Sequence, residues 1–250
     1  MNAWTVRTMA LSAALLAAVA AAPDQSQSQQ DGEAHFNIGL SHLREGRTSL
    51  ALDEIQKAIR ADPKNAYFYK ALGVCYMQMR KYPDAATALR KSLQLNPYYV
   101  DARNDLGTAL ILGGKRDEGK AELLGAFNEP TNPAPDLTAR NLGQAYLDEK
   151  NYNEAASWFR SSLGRNDKVV DSYLGLAEAQ QGLGHADEAL RTLEDAAKAV
   201  PGEPNILLAL GQAYYGLGRF NEARAKLEEA RKDHGPTGQR AAELLKQFAK

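Results

Sequence analysis

One cysteine in 250 residues, Cys75, has no partner for an intramolecular disulfide, and its place inside a helical pattern reads as a buried small hydrophobe. Histidine is scarce too. Of the four, His35, His42, His185 and His234, no two stand at the spacing of metal ligands. His35 and His42 fall two turns apart on one helix, at positions where packing side chains recur. No metal or other cofactor is expected. Neither sign of charge is in excess: 30 Lys and Arg against 31 Asp and Glu leave a net of -1, scattered along the chain with no electropositive stripe. Nucleic acid is therefore not an expected partner. The sequence has no Gly-x-Ser-x-Gly element, and the stretch around Gly113-Gly114-Lys115 fails as a phosphate loop because its glycine spacing is wrong and no Ser or Thr follows Lys115. Nothing recommends an enzyme.

Long apolar runs are confined to the start. Arg7 precedes an apolar and small-residue run over residues 9–22, and the chain turns polar at Pro23 and Asp24. The run is shorter than the ~20 residues a spanning helix needs. Its small-residue end predicts a secretory signal peptide over residues 1–22, cut after Ala20 or Ala21, with a retained N-terminal anchor as the alternative. Residues 23–31, rich in Gln and Ser, read as a flexible polar tether. Such a chain is secreted across the inner membrane into the periplasm. No cysteine ends the signal segment to take a lipid, so association with the outer membrane would be peripheral.

What the chain has in abundance is self-similarity. A small residue recurs at Gly39, Gly73, Gly107, Gly143, Ala177 and Gly211, with gaps of 34, 34, 36, 34 and 34 residues. Twelve residues after each stands Ala51, Ala85, Gly119, Ala155, Ala189 or Ala223, and sixteen after, Ile55, Leu89, Leu123, Phe159, Leu193 or Leu227. Nineteen after comes Ala58, Ser92, Ala126, Ser162, Ala196 or Ala230, and Pro63, Pro97 and Pro201 close three units at one offset. Each unit holds two helical stretches separated by a turn such as Glu45-Gly46-Arg47. The small positions let two helix backbones approach, and the large apolar ones fill the space beside them.

This pattern resembles the tetratricopeptide repeat (TPR). The resemblance implies an all-α fold, an α-solenoid wound as a right-handed superhelix of six helix-turn-helix repeats over residues 32–236: 32–65, 66–99, 100–135, 136–169, 170–203 and 204–236. Residues 237–250 would supply a capping helix, with Ala241, Leu244, Leu245 and Phe248 on one face. The proline-rich joint over residues 129–136 is expected either to bend the superhelix or only to lengthen a loop.

In such a solenoid the first helix of each repeat lines the concave face. For the first two repeats, register points Phe36, Leu40, Leu43, Tyr67, Lys70, Val74 and Met77 into it, an apolar groove suited to a partner's amphipathic helix or extended apolar segment. Alternatively, the tether or a packed N-terminal helix covers Phe36, Leu40 and Leu43. TPR arrays that grip a C-terminal carboxylate place Lys and Asn where this sequence has Phe36 and Leu40, so such a clamp is not expected. Charged residues at Phe36 and Leu40 are expected to abolish partner binding and leave the array folded.

Signal segment, tether, six repeats and the joint before the fourth, with Asn96-Pro97, the stretch from Ala139 to Tyr146 and the helix around Trp158, resemble the type IV pilus pilotins (PilF/PilW/Tgl type). That resemblance implies a non-enzymatic assembly factor whose partner is the secretin subunit of the pilus machine. A general periplasmic TPR adaptor for another envelope or secretion complex is the alternative.

Overall fold

The computed structural model describes residues 25–246, with only the backbone given for Gln25 and Ser26. The expected signal segment, and Phe248 of the expected cap, lie outside the described residues. Within them are thirteen α-helices and no strand. In chain order these are α1 (Gln25–Arg44), α2 (Thr48–Ala61), α3 (Ala66–Gln78), α4 (Tyr82–Leu95), α5 (Val100–Leu112), α6 (Arg116–Asn128) and α7 (Pro135–Asp148), then α8 (Tyr152–Leu163), α9 (Val170–Gly182), α10 (Ala186–Ala199), α11 (Pro204–Gly216), α12 (Phe220–Ala230) and α13 (Pro236–Leu245). The fold is all-α and of the TPR kind. The helices gather into two compact units that part between Ala109 and Leu110, inside α5.

Every turn from a repeat's first helix to its second is closed in one way. After α1, Gly46 N–H donates to Leu43 O (3.1 Å) and Arg47 N–H to His42 O (2.8 Å), with Gly46 at φ 71°, so the helix's last carbonyls are satisfied by a left-handed residue just past its end. After α3 the bonds recur with Arg80 at φ 57°, and after α7 with Lys150 at φ 58°. Packing of the helix pair therefore imposes the turn even where the sequence supplies no glycine.

In the first unit, α1 packs on α2 and α3 on α4. Ala51, Ile55, Ala58, Ala85, Leu89 and Ser92, the recurring positions of the second helices, are all fully buried. The Ser92 hydroxyl donates to Ala66 O (2.7 Å), so its polar group is satisfied where four of the other repeats bury alanine. At the repeat ends, Asp62 and Asn96 accept the N–H of Lys64 (3.0 Å) and Tyr98 (3.1 Å), turning the chain at Pro63 and Pro97.

Residues 25–31 depart from expectation. Expected as a flexible tether, they continue α1 by almost two turns, with Ser28 donating to Ala61 O (2.7 Å) at the end of α2. Gly32, one turn on, is buried, and a Cβ there would sit 3.3 Å from the Phe68 ring.

In the second unit, Ala155, Phe159, Ser162, Ala189, Leu193, Ala196, Ala223, Leu227 and Ala230 repeat the burial pattern. The proline-rich joint lengthens a loop between α6 and α7. Asn132 ties it, donating to Ala126 O (2.8 Å) and Thr138 Oγ1 (3.2 Å) and accepting from Ala134 N (2.8 Å). Lys120 replaces the alanine or leucine that Ala86, Ala156 and Leu190 provide at its register. It pairs with Glu149 at 2.8 and 2.9 Å and lies 4.9 Å over the Tyr146 ring, joining α6 to α7 by charge in place of an apolar contact. Last, α13 lays Ala241 into a buried cluster with Leu207, Leu227 and Ala230.

Candidate protein-binding groove

Two sets of first-helix side chains, one in each unit, are candidates for contact with a protein. In the first unit the seven expected residues divide. Phe36, Leu40 and Leu43 are half-buried and pack on the cluster of Ala51, Ile55, Ala71 and Cys75. The Phe36 ring lies 4.9 Å from that of Phe68, which is fully buried. A charge at Phe36 therefore disturbs the core as well as the surface, so the expectation that such a variant keeps its fold does not hold. Cys75 sits in the same cluster, and burial pushes its thiol up to about 11, out of the reactive range.

Tyr67 is the accessible member, 53% exposed, with Val74 and Met77 half-buried on the same helix. Its ring meets that of Tyr99 at 5.0 Å. Burial, with Asp101, Tyr67 and Asp105 nearby, pushes the Tyr99 phenol up to about 12, so its hydroxyl is neutral at neutral pH. Lys70 is already engaged: its Nζ lies 3.3 Å from Asp105 Oδ2, an ion pair short of hydrogen-bond alignment. Burial raises the Asp105 carboxyl and Lys70 pulls it back. Holding a partner's carboxylate with Lys70 would leave a mostly buried carboxylate uncompensated, which disfavours that use.

A further concavity belongs to the second unit. A cavity of about 720 Å³ opens between α9 and α11. Leu174 and Leu208 wall it, and Ala177, Ala209, Ala213 and Gly216 keep its floor low. Glu178, Gln181 and Gln212 stand exposed at its rim, and their side chains have no hydrogen-bond partner among the described residues. Asn205 is different, since it accepts from Thr237 Oγ1 (2.7 Å) and donates to Glu203 (3.1 Å). Apolar walls, a floor of small residues and unspent amides that can both donate and accept make a surface for an extended backbone or a helix, with Glu178 favouring a cation beside it. The sequence pattern pointed to the first two repeats and not to these positions. The signal available was the row of small residues, which leaves room where a large side chain would fill it.

Three profiles described as tetratricopeptide repeat match residues 9–66, 66–99, 146–206 and 183–248. The type IV pilus assembly protein PilF of Pseudomonas aeruginosa is 28% identical over 146 residues, 58% of this chain and 58% of that protein. The matched stretch thus spans a little over half of that relative. Cellulose synthase operon protein C of Escherichia coli is 34% identical over 98 residues, which are 37% of this chain and 8% of that one. Among solved structures, PilW, described as a widely conserved type IV pilus biogenesis factor, superposes with a TM-score of 0.72 at 19% identity, covering 83% of this chain and 96% of its own. PilF of P. aeruginosa superposes with 0.70 at 21%, covering 88% and 99%. At those identities the structural likeness bears on the fold.

Proposed function

Because the chain belongs to the tetratricopeptide repeat family, whose members hold protein partners, we propose that it is a periplasmic assembly factor of the pilotin kind that binds the secretin subunit of a type IV pilus machine. The observation that carries this reading is the 28% identity with PilF over 146 residues. It acts by stoichiometric binding, without catalysis. The groove chemistry agrees with binding: unspent amides and apolar walls suit a polypeptide. The partner lies over Leu174 and Leu208 between Gln181 and Gln212 in the second unit, and the surface of Tyr67, Val74 and Met77 in the first is a separate candidate contact. Phe36, Leu40 and Leu43 shape the first-unit surface from below, and Lys70 stays with Asp105.

Among the described residues no helix is long and apolar enough to cross a membrane.

The test is the amount of heat- and detergent-resistant secretin multimer in the source cell. Multimers are expected to vanish when the gene is deleted, return with the wild-type gene, and stay low with the double variant Glu178→Lys/Gln212→Lys, which alters exposed residues and leaves helical circular dichroism unchanged. Normal multimers in the deletion strain would sink the pilus reading. A second reading, an adaptor for another envelope complex, draws on the 34% identity with cellulose synthase operon protein C, and normal multimers would move attention to it.

A further inference from the structure

Charge on the first helices of the second unit is one-sided. α7, α9 and α11 carry Asp136, Asp148, Asp171 and Glu178 against a single cation, Arg140. Arg140 is already spent, since it donates to Asp171 Oδ2 (2.8 Å). Asp136 accepts from Asn166 (2.9 Å), and Asp148 from Gln144 (2.8 Å). Glu178 is left with no hydrogen bond or ion pair among the described residues, and it is the one charged side chain in the lining of the cavity between α9 and α11. The same register holds Leu40, Val74, Thr108, Gln144 and Gln212 in the other five repeats, so the repeat fold itself does not require an acid there.

The cavity has two stations. Leu174 and Leu208 share one register, and Glu178 and Gln212 share another, four residues further along each helix and so a rise of about 6 Å. In an extended chain, residues two apart point to the same side and stand about 6.5 Å from each other, nearly the same step. A helical occupant would waste the site. Its backbone groups are already bonded within it, which leaves the amides of Gln181 and Gln212 no backbone to hold.

We infer that this cavity selects an extended segment of a protein partner with a Lys or Arg two residues from an aliphatic side chain. The cation sits at Glu178, the aliphatic side chain enters between Leu174 and Leu208, and Gln181 and Gln212 bond the segment's backbone. An acidic segment is refused, because it would meet Glu178 with no cation in the lining to offset it. The inference rests on the proposed reading of this cavity as a polypeptide groove, and does not depend on the partner being a secretin.

The experiment selects a phage library of random linear peptides on the purified full chain and measures the affinity of enriched peptides by fluorescence polarisation. Those peptides should share a Lys or Arg two positions from Val, Leu or Ile. Glu178→Gln should weaken them about fourfold, the scale of an exposed ion pair, and should leave unchanged a peptide whose cation is replaced by alanine. Selection on Glu178→Lys should return Asp or Glu in place of the cation. Gln212→Trp, which lays a ring across the cavity from an exposed position, should abolish binding. Every variant is judged with helical circular dichroism unchanged. Peptides lost on Gln212→Trp that share no cation at that spacing, share an acid, or are indifferent to Glu178→Gln would overturn the inference and leave the groove reading standing. Peptides that bind Gln212→Trp as well as the wild type, or a library that yields no enriched peptide, would overturn the groove reading and the inference with it.

Discussion

Gly73 has no room for a methyl group. A Cβ there would stand 2.5 Å from Leu89 Cγ and 2.8 Å from its Cδ2, and the same clash recurs at Gly39 against Ile55, Gly143 against Phe159 and Gly211 against Leu227. Leu89 is fully buried and cannot swing away, so Gly73→Ala should destabilise the fold by about 1–3 kcal/mol despite alanine's better helix propensity. Urea unfolding followed by circular dichroism measures this. An unchanged midpoint would contradict the contact. This pairing was legible in the sequence, because a small residue and a large one sixteen positions later recur through the whole chain. The half-burial of Phe36 was not. Register assigns a side chain to a helix face, whereas contact with Phe68 depends on how closely the next repeat's first helix approaches, and a period cannot report that distance. Sequence position likewise could not show that Lys70 is spent on Asp105, since the two lie on first helices of successive repeats.

At the scale of the element, α1 is the longest helix among the described residues at 20 residues, where the other first helices that open a repeat have 13 or 14. Its opening has none of the apolar periodicity on which a helix is usually recognised. Residues 25–31 offer Gln, Ser and Asp, which is also the composition of a tether. What the helix uses is smallness. Ser28 and Gly32, four apart and so on one face, let its backbone come down on the end of α2 and on Phe68. Small-residue faces are silent in a hydrophobic pattern, and the cavity between α9 and α11 was passed over for the same reason. Gly32→Val should therefore lift the first two turns of α1 while α2 to α4 stay folded. Hydrogen exchange would show it as faster exchange confined to residues 25–35. Unchanged protection there would mean that the close approach does not hold this helix end.

At the scale of the whole molecule, a repeat array gains stability from each unit and from each contact with its neighbour, so damage should stay near its source. The C-terminal end offers a clean test. Ala241 of α13 is fully buried against Leu207, Leu227 and Ala230, and an aspartate there would place a carboxylate among aliphatic side chains with nothing to pair it. Ala241→Asp should detach α13 and expose the faces of α11 and α12 that it covers. The loss of amide protection should be largest in α11 to α13, smaller in α9 and α10, and absent from α1 to α4, as read by hydrogen exchange on the full chain. A uniform loss along the chain would instead mean one cooperative block. In that case a ligand seated at either end of the array would stabilise all of it, whereas in the local regime a partner in the cavity between α9 and α11 would leave the protection of α1 to α4 unchanged.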